Sequence, residues 1–316
     1  MINKVFVNAP ERCGSNFLCR FLQENFGLFY VPPVHFLKYI QILTLTDQEQ
    51  HQLIHDRFCR RLEMFDLKDA AEHYDNFITG NPSIANIIEF YFNDLFQSTI
   101  GHIPVFKENE ICSYFPLISH SLSNSAIISQ LRDPRMMHRS AKDIRPGLFK
   151  SKFGSVNQTI RIWQEAEKSI RFVEAGALPI IHFYVNYEEL VSEPEKVLQK
   201  LDALPQGSFP FHREDHVTRM KKVSETSSAR RNLNLKAFNA RLKNNSKWYD
   251  LVDQHISCQL RNEMNRRGYR STSINKFSSI SLALLFLMSE PFEKLRNKWI
   301  NTSVKDGSKA LYGPNN

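Results

Sequence analysis

The chain has 316 residues, 42% of them hydrophobic and 23% charged, a balance that excludes a wholly disordered polypeptide and allows a sizeable core. Its net charge of +8 and pI near 9.2 favour an anionic ligand without choosing among nucleotides, nucleic acid, acidic glycans and membrane surfaces. Five scattered cysteines, Cys13, Cys19, Cys59, Cys112 and Cys258, lack the paired spacing of a zinc site and read as free thiols in a reducing compartment. The opening MINKVFVNAP lacks the apolar stretch of a cleavable signal, and no run of about 18 apolar residues occurs that would span a bilayer. The expectation is a soluble cytoplasmic protein with one domain over residues 1–316, of which 205–316 form a mostly helical C-terminal part.

In chain order, residues 4–8 read as a short buried strand, and 16–24 carry helical apolar spacing at Phe17, Leu18, Phe21 and Leu22. Residues 27–40, GLFYVPPVHFLKYI, contain a helix-breaking Pro-Pro pair, so a loop or second strand leads there into a helix. Residues 46–76 are charged and helical. Further strand-like runs fall at 103–106, 126–131 and 179–185, and a helix with Trp163 on its apolar face stops at Gly176. The segment NYEELVSEPEKVLQKL reads as a loop, a Pro-interrupted stretch and a helix. Strands alternating with helices predict a parallel sheet covered on both faces, with ligands beyond the carboxyl ends of the strands. The polar stretch 212–232 reads as a long loop. The apolar segment ISLALLFLMSEPF, 280–292, is too short to span a bilayer and reads as a docking helix, with weak membrane-surface contact as the alternative.

Two stretches carry chemistry. In ERCGSNF, Gly14 lets the backbone approach an anion, the amides of Gly14, Ser15, Asn16 and Phe17 lie at a helix start, and Arg12 adds a charged fork. The loop lacks the second glycine and the Lys-Ser/Thr pair of an ATP-binding P-loop, which argues against ATP hydrolysis. In LRDPRMMHRSAKD, Arg132 and Ser140 flank a Pro-containing turn, and the guanidinium and hydroxyl suit a second phosphate.

Taken together, in this order and spacing, the two stretches resemble the sulfotransferases that use 3′-phosphoadenosine 5′-phosphosulfate (PAPS). In that family P-R-S-G-S/T-T/S-F-L binds the 5′-phosphosulfate, and R-D/N-P-R/K with a serine eight residues after the first arginine binds the 3′-phosphate. The resemblance implies a P-loop-NTPase-like sulfotransferase fold with a central parallel sheet flanked by helices. It assigns Arg12, Cys13, Gly14, Ser15, Asn16 and Phe17 to the 5′ end and Arg132 and Ser140 to the 3′-phosphate. VNYEELVSEPEKVLQKL is similar to the family's YEDLV-x-x-P segment, and FGLFYVPPVHFL to the FYLYEPLHH region of carbohydrate sulfotransferases. Against the family pattern, Glu11 is inserted, Cys13 replaces serine, Asn16 replaces a hydroxyl residue, and Pro32 stands at an acidic position.

The reaction so implied is in-line sulfuryl transfer to a hydroxyl or amine of a carbohydrate or small metabolite, with no metal and no nucleic-acid partner. Arg12 and Lys107 are the candidate cations for the developing charge. Glu108, Glu110 and His35 are the candidate general bases, and the residues do not choose among them. Arg230 and Arg231, in SSARRN, are candidates to reach the 3′-phosphate, or else form the first turn of a helix. The competing readings are a kinase-type nucleotide enzyme and a non-catalytic nucleotide- or nucleic-acid-binding protein.

Overall fold

The run KVFVN forms the central strand of a five-stranded parallel sheet in the computed structural model, which describes residues 2–96, 102–107, 111–142, 156–176, 180–202 and 247–271. The stretches 212–232 and 280–292 lie outside the described residues. The chain divides into two compact units, Met1–Leu131 with Lys168–Asn234, and Arg132–Glu167 with Leu235–Asn316.

The first unit holds the sheet. Its strands are β1 (Lys4–Asn8), β2 (Phe29–Val31), β3 (Pro104–Phe106), β4 (Ser125–Leu131) and β5 (Ile181–Asn186), in the order β2-β3-β1-β4-β5. β1 and β4 are buried at every position, as expected of central strands covered on both faces. Even Lys4 is buried, its ammonium donating to Asn93 Oδ1 at 2.6 Å, and desolvation lowers its pKa to about 8. The chain leaves β1 toward one side of the sheet and later crosses to β4 on the other. The carboxyl end of β1 is therefore where this topology opens a crevice.

Helix α1 (Ser15–Phe26) follows β1 and buries Leu18, Cys19, Phe21, Leu22 and Phe26, the face that the apolar spacing predicts. Beyond β2 come α2 (Phe36–Leu43), α3 (Gln48–Met64), α4 (Lys68–Ile78) and α5 (Ile84–Phe90), the last running into a π-helical turn at Tyr91–Leu95. These helices pack an aromatic core against the sheet. Phe36 stacks on Tyr91 and meets Phe92 edge-on, and Phe6 contacts both Phe92 and Phe106. Each fully buried ring is worth roughly 2–3 kcal/mol. A polar knot lies inside this cap, where Tyr39 bonds His55 and Tyr74 donates to Tyr39 at 3.0 Å.

Helix α6 (Pro134–Lys142) starts directly after Arg132 and Asp133, so the Pro-containing turn read from sequence is the first turn of a helix. α7 (Val156–Glu174) carries Trp163 and is followed by Gly176 in a left-handed conformation, φ 72°, as the stop signal predicts. After β5 no loop intervenes: α8 (Tyr187–Ser192) begins at once because Asn186 caps it, accepting from the amides of Glu188 and Glu189, and α9 (Pro194–Asp202) follows. α10 (Lys247–Gln259) and α11 (Arg261–Arg266) belong to the second unit.

Two buried histidines make stability acid-sensitive. Burial lowers the pKa of His255 from 6.5 to about 4, and burial together with the charge of His51 lowers that of His55. Between pH 6.5 and 4 the unfolded chain binds more protons than the folded one, so stability is lost as pH falls through this window. Urea unfolding at pH 7 and at pH 4.5 is expected to show a clear fall in midpoint, which His255→Gln reduces.

Candidate functional site

The loop after β1 is built from the strand outward. Asn8 Nδ2 donates to Ser129 Oγ at 3.1 Å and Ser169 Oγ at 3.2 Å, tying the end of β1 to β4 and to the last turns of α7. The buried Cys13 thiol donates back to Pro10 O at 2.8 Å and closes the turn from within. On either side of it, Arg12 and Gly14 are left-handed, φ 69° and 88°. For Arg12 this costs on the order of 1–2 kcal/mol, strain of the kind that collects at functional loops. Gly14 O then accepts from Phe17 and Leu18, starting α1.

Gly14 has a further reason to be glycine. A Cβ there would lie 2.2 Å and 2.4 Å from Cε2 and Cδ2 of Tyr187, so the loop rests its bare backbone on that ring. Tyr187 stands at the head of α8, and β5 is in register with β4 to the end, Asn186 beside Leu131. The amides of Ser15 and Asn16, ahead of the first bonds to Gly14 O, have no intrahelical acceptors. With the Arg12 guanidinium and the Asn16 amide they make a donor set suited to phosphate or sulfate oxygens, so the residues present fit the 5′ end of a sulfonucleotide.

Neighbouring strands deliver two more candidates to this end of the sheet. Phe6 of β1 is in register with Phe106, which is in register with Val31. Lys107, half-buried, follows β3 directly, and its charge acts on the Cys19 thiol of α1, although burial dominates and pushes that thiol up. His35 lies beyond β2 at the head of α2, left-handed at φ 57°, with its carbonyl accepting from Tyr39 at 3.0 Å. Glu108, Glu110, Arg230 and Arg231 lie outside the described residues.

The second motif lies in the other unit. Arg132 and Ser140 are both buried, 6% and 5% exposed. The Trp163 indole donates to the Arg132 carbonyl at 2.9 Å, fixing the backbone before α6. Asp133 caps that helix, accepting from the Arg135 amide and guanidinium. Trp163 meets Tyr269 edge-on, and the buried Glu167 of α7 receives Arg266 at 3.1 Å and Arg267 at 2.6 Å.

The sulfotransferase family model matches residues 4–204, well over half of the chain. The chain belongs to the sulfotransferase family. Two solved structures are similar to it. One is the sulfotransferase domain from the curacin biosynthetic pathway, 18% identical, covering 64% of this chain and 72% of that one, TM-score 0.45. The other is the sulfotransferase domain of the Synechococcus PCC 7002 olefin synthase, 20% identical, covering 64% and 73%, TM-score 0.44. A search of curated proteins finds no match. The parallel sheet with flanking helices is the architecture that the sequence predicts. No described helix of this sulfotransferase is long and apolar enough to cross a membrane.

Sequence reasoning named Tyr187 and Tyr30 only as parts of similar segments and gave neither a role; the Tyr30 phenol donates to Asn16 Oδ1 at 3.1 Å. The signal for Tyr187 was its position directly after a strand. Tyr30 has no local signal.

Proposed function

We propose that this sulfotransferase transfers the sulfuryl group of PAPS to a hydroxyl or amine of an acceptor, a carbohydrate or small hydroxylated metabolite. The observation that carries this reading is the loop at the carboxyl end of β1, with Arg12 and Gly14 left-handed and Gly14 against the Tyr187 ring just before α1. PAPS, when bound, supplies an activated sulfuryl group and leaves the bisphosphate PAP. In this reading Arg12 and the amides of Gly14 and Ser15 bind the 5′-phosphosulfate, with Lys107 as a second cation. Arg132 and Ser140 bind the 3′-phosphate. Preorganised donors of this kind are each worth about 100-fold or more in rate.

For the general base we assign His35, because it follows β2 at the sheet end where the donor loop emerges, its backbone left-handed at φ 57° at the head of α2. Its imidazole takes the proton from the acceptor hydroxyl as the sulfuryl group arrives. The test is release of PAP from PAPS in the presence of a panel of glycosides and hydroxylated small molecules. His35→Ala is expected to lower kcat by about 100-fold or more with PAPS affinity unchanged. A loss of that size in Glu108→Gln or Glu110→Gln, with His35→Ala near wild type, moves the role to that glutamate. Turnover of ATP in place of PAPS would contradict the sulfuryl-transfer reading altogether.

A further inference from the structure

Asn16 is the second residue of α1 and is exposed at the mouth of the donor loop. An amide has two opposed ends of equal size: its carbonyl oxygen repels an oxyanion and its NH2 attracts one. In an open site shape does not choose between them. Here the phenol of Tyr30 does, donating to Asn16 Oδ1 at 3.1 Å. The Tyr30 backbone amide also donates to Gln23 Oε1 at 3.2 Å. Residues 16 and 23 share one face of α1, two turns or about 10 Å apart. Tyr30 is thus strapped along the helix at both ends, while β2 holds it in register with Val105. The Tyr30 contact engages Oδ1 of Asn16 and does not use the N–H groups of Nδ2.

We propose that Tyr30 is a positioning residue that sets the Asn16 amide with Nδ2 toward the 5′-phosphosulfate oxygens of the donor, an inference that rests on the PAPS reading above. A hydroxyl at position 16 could turn its single proton toward an anion from any rotamer, whereas an amide needs its orientation fixed. Asn16 and Tyr30 therefore act as one unit. Because Tyr30 lies on the strand that leads into the segment bearing His35, the donor contact is set from the acceptor side of the sheet.

The test is calorimetric binding of PAPS and of adenosine 3′-monophosphate, which lacks the 5′ group, to wild type, Tyr30→Phe, Asn16→Ala, Asn16→Thr and the double variants. Tyr30→Phe is expected to weaken PAPS about tenfold and the monophosphate less than twofold. Asn16→Ala, at an exposed position that does not threaten folding, loses a similar factor, and adding Tyr30→Phe to it costs nothing more. Asn16→Thr recovers most of the affinity and makes Tyr30 dispensable. The proposal is overturned if Tyr30→Phe leaves PAPS binding unchanged, weakens both ligands alike, or has its full effect in the Asn16→Thr background. A folded wild type that binds neither nucleotide overturns the donor reading itself, and the proposal with it.

Discussion

Gly14→Ala is expected to remove measurable PAPS binding. Two costs combine at this position. The backbone is left-handed at φ 88°, which disfavours any residue with a Cβ by about 1–2 kcal/mol. The added methyl would also lie 2.2 Å from a Tyr187 ring carbon, so either the ring or the loop must move, an overpacking cost of about 1–3 kcal/mol. The loop yields more easily, and its movement misaligns the amides that face the donor. Tyr187→Ala in the same chain removes the collision but not the backbone cost, so the double variant recovers part of the affinity. Gly27 is the control: it too is left-handed, φ 63°, but nothing lies within 4 Å of a Cβ there. Gly27→Ala is expected to lose about 1 kcal/mol of stability and to bind PAPS as the wild type does. Equal loss of binding in both variants would mean that the Tyr187 contact does not shape the site.

Glu167→Ala is expected to destabilise the second unit by about 3–5 kcal/mol, read as a fall in urea midpoint. The Glu167 side chain is 2% exposed and Arg267 only 7%, so removing the carboxylate takes an ion-pair partner from a guanidinium in a dry setting. Arg266, 46% exposed, can turn to water. Replacing the buried pair together, Glu167→Leu with Arg267→Met, is therefore expected to cost less than Glu167→Ala alone. The effect extends toward the 3′-phosphate candidates, because the helix anchored by Glu167 carries the Trp163 that holds the Arg132 carbonyl. A Glu167→Ala protein as stable as the wild type would mean that the ion pairs contribute nothing net.

The parts legible in the sequence were those with a short-range physical signature. β1 and β4 carry the apolar runs VFV and AII because both of their faces are covered, and Gly14 between a strand and a helix announces a tight turn. Helix α5 and its π-helical turn were not read from sequence although Asn86, Glu89 and Asn93 recur at helical spacing on the less buried side and Ile87, Ile88 and Phe90 form the buried one. β2 is three residues long and runs into a Pro-Pro pair, too little for a strand signal. α8 was read as a loop because its start is set by the Asn186 cap rather than by apolar spacing. Long-range contacts left no trace: Tyr30 reaches Asn16 across fourteen residues, and Tyr187 meets Gly14 from the far end of the sheet. The substitutions at Cys13 and Asn16 blurred the loop motif in sequence, whereas in the fold the thiol closes the turn and the amide gains a fixed partner.

The most direct measurement is calorimetric titration of PAP and of AMP into the wild-type chain and into Arg132→Ala. The account predicts micromolar binding of PAP, much weaker binding of AMP, and loss of most of that difference when Arg132 is removed. A folded wild type that binds neither nucleotide, or binds both equally, would contradict it.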